Sequence, residues 1–88
     1  MVAKLTSAQI RAARALVRWS AEDLARESAV GVTTIRRAEL QEDETSMTNP
    51  NAQAIRRALE AVGVEFIDAN GGGEGVRLRK SSIHKKRT

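Results

Sequence analysis

Cysteine is absent from this chain, so neither a disulfide framework nor a thiolate metal site can be built. Histidine occurs once, as His84 in a polar tail. It reads as a solvated side chain, and no His-based triad or metal cluster is available to it. Trp19 and Phe66 are the only aromatics. Trp19 is placed at the end of a helix, covering the core from the side, rather than as a binding platform. No apolar run approaches the roughly 18 residues of a membrane span, and the start MVAKLTSAQI lacks the features of a signal peptide. The expected location is cytoplasmic, with no membrane association. There is no nucleophile–base pair, no carboxylate dyad in a recognisable frame and no cofactor loop. The expectation is a protein that is not an enzyme and that uses no cofactor and no metal.

What is present fits one domain. Eighty-eight residues give a core near the lower practical limit. The formal net charge is +4, but it is unevenly placed. Lys80, Lys85, Lys86 and Arg87 all follow residue 79, which leaves eleven basic against eleven acidic groups before it. The body is therefore neutral, and any positive surface on it must come from segregated charges.

The stretch Trp19–Leu40, WSAEDLARESAVGVTTIRRAEL, organises the rest. It reads as two short helices, 20–28 and 32–40, joined by a tight turn. Ser20 caps the first, with Asp23 as its capping-box partner. Leu24, Ala25, Val30, Ile35 and Ala38 supply the inward face. Ala25 is small where the helices approach, and Val30 fills the angle between them. Gly31 starts the second helix in a non-helical conformation. Thr33, Thr34, Arg36 and Arg37 then project outward, as hydroxyls and guanidiniums that a DNA major groove can accept.

The flanking segments complete a four-helix pattern. Residues 1–6 read as an N-terminal arm. Thr6 and Gln9 form a capping box for a helix over 7–18. In that helix Ile10, Ala13 and Val17 repeat at helical spacing, with Leu16 beside them. Residues 41–47 form a loop with an acidic run, Glu42, Asp43 and Glu44. Thr48 or Asn49 caps a helix over 50–62, with Pro50 in its first turn. Ile55, Ala58, Leu59 and Val62 make its apolar stripe, and Gly63 stops it. The period then changes. Val64–Ile67 and Val76–Arg79 each alternate and read as a β-hairpin around a flexible loop, DANGGGEG. No Gly-Lys-Ser/Thr follows those glycines, which excludes a phosphate loop. Val64, Phe66, Val76 and Leu78 would share one face. An isolated two-stranded hairpin is marginal in water, so it must pack on the helices, pair with another chain, or both. Residues 80–88 lack periodicity and read as a disordered basic tail.

With these residues in place, a resemblance is clear. Ser20–Glu39 resembles the lambda-repressor-like (Cro/C1, XRE-type) helix-turn-helix family of bacterial and phage transcriptional regulators. The likeness runs over about residues 7–62. It is carried by Glu22-Asp23-Leu24-Ala25, Val30, Ile35 and Arg37-Ala38-Glu39. The ending GVEFIDANGGGEGVRLRK resembles short members with strands after the fourth helix. The fold class this implies is mainly α: a four-helix helix-turn-helix domain over 7–63, a hairpin over 64–79 and the tail.

The resemblance implies roles by position. Val32, Thr33, Thr34, Arg36 and Arg37 fall at DNA-recognition positions. Lys4, Ala21, Lys80, Lys85, Lys86 and Arg87 are accessory contact positions. Arg14 and Glu39 would form a structural salt bridge, worth under about 1 kcal/mol if exposed. Val64, Phe66, Val76 and Leu78 are the candidate dimer interface. The function expected is a sequence-specific DNA-binding regulator, a repressor acting as a homodimer on double-stranded DNA. The alternative is a protein-binding module of the same fold, antiactivator- or antitoxin-like, that inhibits another regulatory protein. The neutral body, Ala21, Val32 and the acidic loop favour that second reading.

Overall fold

The computed structural model describes residues 5–41, 47–69 and 71–79. Lys4, the acidic run 42–44 and the tail residues Lys80, Lys85, Lys86 and Arg87, with the disorder expected there, lie outside the described residues. Within them the chain is mainly helical, ending in a small antiparallel hairpin. The elements are α1 (Ser7–Val17), α2 (Ala21–Ser28), α3 (Val32–Glu39), α4 (Asn49–Ala61), β1 (Val64–Ile67) and β2 (Gly75–Leu78).

Local chemistry sets the helix ends. The Thr6 hydroxyl accepts from Gln9 N at 3.1 Å, and Gln9 Oε1 accepts from Thr6 N at 3.1 Å. Ser20 and Asp23 repeat the same box at the start of α2, at 3.0 and 2.9 Å. Each box satisfies two N–H groups that a helix start otherwise leaves open. Thr48 accepts from Asn51 N at 3.4 Å, so α4 opens at Asn49, one residue before Pro50. Gly31 starts α3 without a side-chain cap.

The stops are less conventional. Arg18 and Ala29 end α1 and α2 in the left-handed region, at φ 59° and 62°. Trp19 N bonds Arg14 O at 3.0 Å and Arg18 N bonds Ala15 O at 3.2 Å. This is a Schellman closure with arginine where glycine is usual. Gly63, at φ 102°, ends α4 and turns the chain into β1.

The buried core takes one or more residues from every helix and from β1: Ile10 and Ala13; Ala21 and Leu24; Ile35 and Ala38; Ile55 and Leu59; Val64 and Phe66. Val30 fills the angle between α2 and α3. Around it α2 packs on α3 and α4, α1 packs on α3, and the hairpin lies against α1 and α4. The register pairs Val64 with Leu78 and Phe66 with Val76, so these four share a face. Arg79 N donates to Gly63 O at 2.7 Å, continuing the pairing beyond β2.

Four expectations need correction. Leu5 is 2% exposed and belongs to the core, so the arm does not extend to residue 6. Leu16 is 38% exposed, because it sits six residues after Ile10, about 240° round the helix. Val62 is 44% exposed and lies outside α4 as its cap. The helix ends one residue before the stripe's last position, and Val64 fills the core instead. The second strand is Gly75–Leu78 rather than 76–79, because Gly75 pairs with Ile67 across the hairpin.

Candidate nucleic-acid interface

The exposed face of α3 is polar and is built on a fixed support. Ile35 is fully buried and Ala38 is 1% exposed, which sets the rotation of the helix. Thr33, Arg36 and Arg37 are then exposed. Val32 packs against the core as a half-buried side chain, and Thr34 is half-buried. Of five recognition positions named from the sequence, three are therefore open and two are partly consumed by packing. Ala21, the accessory position on α2, is 8% exposed and packs in the core. A methyl group there closes α2 onto its neighbours and leaves nothing to reach outward.

Two arginines of α1 hold the far end of α3. Arg14 bonds Glu39 bidentately, Nε to Oε2 at 2.8 Å and Nη2 to Oε1 at 2.8 Å. Its Nη1 donates to Trp19 O at 2.9 Å. One guanidinium thus joins α1, the α1–α2 turn and α3. The side chains are 22% and 10% exposed, so this pair is more sheltered than a surface ion pair. The Glu39 hydrogen bonds raise the Arg14 pKa further above its ordinary value, against the opposing effect of burial. Arg11 Nη1 donates to the Glu39 carbonyl at 2.6 Å, placing a cation at the negative end of the α3 dipole.

The exposed side of α3 carries a feature that charge counting missed. Arg36 Nη2 donates to Glu22 Oε2 across the α2–α3 angle. Both side chains stay open, at 55% and 60% exposure. The Glu22 carboxyl is held below its ordinary range, first by a backbone hydrogen bond and then by Arg36. Asp23 is lowered likewise, first by the Ser20 backbone and then by Arg26. An acid in the first turn of a helix is explained by the dipole and the cap, which is why the sequence did not single out Glu22 as a partner of Arg36. Among the described residues, Arg11, Arg18 and Arg37 form no ion pair. Leu40, at the end of the same helix, is 83% exposed.

The hairpin's apolar face is largely used inside the chain. Val64 is fully buried and Phe66 is 9% exposed, with Arg56 stacked 5.1 Å over its ring. Of the four residues named for a dimer interface, only Val76 and Leu78 remain accessible. The reason is that α1 and α4 already cover the sheet. Gln9, unremarked in the sequence beyond its cap, is 4% exposed. Its Nε2 donates to Ile67 O at 3.3 Å and to Gly75 O at 3.1 Å, clamping both strands where the loop begins.

Elsewhere, an open depression of about 300 Å³ between α2 and α4 is lined by Glu27, Ser28, Ala54, Arg57 and Ala58. Among the described residues no group of three or more His, Asp or Glu side chains is placed to hold a metal ion. None of their helices is long and apolar enough to cross a membrane. Compared with models of known protein families and with curated sequences, the chain matches none.

Proposed function

We propose that the protein is a sequence-specific DNA-binding transcriptional regulator of the lambda-repressor-like helix-turn-helix type, acting as a homodimeric repressor in the cytoplasm. The observation that carries this is the α3 face. Its inner side is locked by Ile35, Ala38 and the Arg14–Glu39 clamp, while Thr33, Arg36 and Arg37 stand outward. A short helix whose rotation is fixed presents the same side chains at every encounter, which base-edge readout needs. Exposed Arg11 on α1, Arg18 at its C-terminal cap and the basic tail supply phosphate contacts.

One such helix makes few contacts, so two copies would read half-sites about 34 Å apart. Val76 and Leu78, with Val62 beside the hairpin's base, offer accessible apolar groups for pairing copies. Leu78→Glu should then lower the mass measured by sedimentation and weaken operator binding together. The decisive experiment is a mobility shift on duplexes selected from a random pool, across a salt series. Arg36→Ala with Arg37→Ala should abolish the specific shift while helix content is unchanged. Specific binding that survives this change would refute the assignment of the reading face.

A second reading is favoured by Leu40 and by the Glu22–Arg36 pair, which make the same face apolar at one end and locally neutral. On that reading α3 docks on another regulatory protein and blocks it. Failure to shift any duplex at low salt, together with Leu40-dependent binding to a protein partner, would decide for it.

A further inference from the structure

Glu22 and Arg36 form a joined acceptor and donor on the exposed side of the α2–α3 unit, 14 residues apart in sequence. Resting on the DNA-binding function above, we propose that this pair reads one G·C base pair as a unit, with Arg36 taking the guanine and Glu22 the cytosine.

The chemistry of the two edges matches. Across the major groove a G·C pair presents N7 and O6 as acceptors and then the N4 amino group of cytosine as a donor. Arg36 presents a fork of N–H donors beside a carboxylate that accepts. A guanidinium has five N–H donors, and the Glu22 bond engages its Nη2. It makes no other side-chain hydrogen bond among the described residues. The remaining donors reach the two guanine acceptors. An ionised carboxylate has about four acceptor sites, so Glu22 accepts a hydrogen bond from the cytosine amino group without releasing Arg36. An A·T pair offers a single acceptor before its donor and leaves half of the fork unmatched.

Electrostatics gives the same orientation. Glu22 is exposed, and its carboxyl is held below its ordinary range first by a backbone hydrogen bond and then by Arg36. A carboxylate on this face is repelled by phosphates, so it favours a docking in which it lies over base edges rather than the backbone. A free arginine reads guanine but tolerates sliding to a phosphate. Pairing with Glu22 biases it toward one orientation and toward a base pair that also offers a donor to the carboxylate. The energy of the pair in the unbound protein is small, as exposed ion pairs are. Its role is in positioning and in specificity.

The test uses the full chain and four forms: wild type, Glu22→Ala, Arg36→Ala and the double variant. Each is checked for helix content and then competed on the selected duplex and on the same duplex with single base pairs changed. The wild-type protein should discriminate G·C from A·T at one position in each half-site. Glu22→Ala should reduce that discrimination by about fivefold or more, while binding to unrelated duplex stays equal or strengthens as a negative charge is removed. The double variant should lose no more discrimination than Arg36→Ala alone, as expected for residues acting as one unit. If the wild type discriminates and Glu22→Ala keeps the same preference, the paired readout is overturned and DNA binding stands. A Glu22→Ala variant weakened equally on every sequence overturns it as well. If the wild type selects no sequence at low salt, both fall.

Discussion

The Arg14 side chain ties together three segments of the chain. It is bonded to two carboxylate oxygens and one carbonyl, on two other segments of the chain. Removing it leaves Glu39, 10% exposed, without its counter-ion. Arg14→Ala should therefore lower stability by about 2–3 kcal/mol, between the values for surface and buried pairs, measured by denaturant unfolding. Arg14→Lys should recover only part, because an ammonium cannot reproduce the fork. The opposite sign is expected at Ala29. Its φ of 62° is costly for a residue with a Cβ, and its side chain is exposed, so truncating it sacrifices no packing. Ala29→Gly should raise stability by about 0.5–1 kcal/mol after allowing for the looser unfolded chain, seen as a higher melting temperature.

At the scale of elements, the hairpin depends on the helices. Phe66 sits under α4, with Arg56 across its ring, and Val64 is sealed beside it. Phe66→Ala should cost about 3–5 kcal/mol, as large aromatic truncations in cores do. Measured mass should be unchanged, because Phe66 itself is buried within the chain and leaves pairing to the accessible Val76 and Leu78. The capping boxes, the turn at Val30, the glycine stop at Gly63 and the change of period at Val64 were legible in the sequence, because each is written in adjacent residues. The Arg14–Glu39 pair was legible only through the family resemblance. Leu5, Val62 and Gln9 were not legible in their structural roles. Leu5 has no periodic neighbour before it, Val62 fits a stripe that the helix ends too soon to use, and Gln9's second role depends on strands more than 50 residues away. The candidate site divides the same way. Thr33, Arg36 and Arg37 are exposed as the 3.6-residue period requires. Val32 and Thr34 are partly covered by neighbours that no local pattern contains.

On the scale of the whole molecule, the placement of charge decides how binding will respond to salt. The body up to residue 79 holds equal numbers of basic and acidic groups, and several of its arginines are spent on carboxylates within the fold. On the proposed function, nonspecific attraction to DNA draws heavily on the four basic residues after 79. Removing residues 80–88 should weaken binding to all duplexes alike. The slope of log affinity against log salt should fall by about 0.9 for each phosphate that the tail neutralises. The ranking of sequences should not change if α3 is the reading face, as proposed above. A changed ranking would show that the tail reads bases.

The Gln9 clamp has a consequence for the order in which the chain can fold. It joins the first helix to residues 58 and 66 positions later, and Leu5 and Ile10 lie in the same core as Val64 and Phe66. Loops of that length must close before the clamp forms, and distant closures are slow. During synthesis α1 waits for the hairpin. A ribosome-stalled chain stopping at Gly63 should remain protease-sensitive at α1, and protection should arrive only once β2 has emerged.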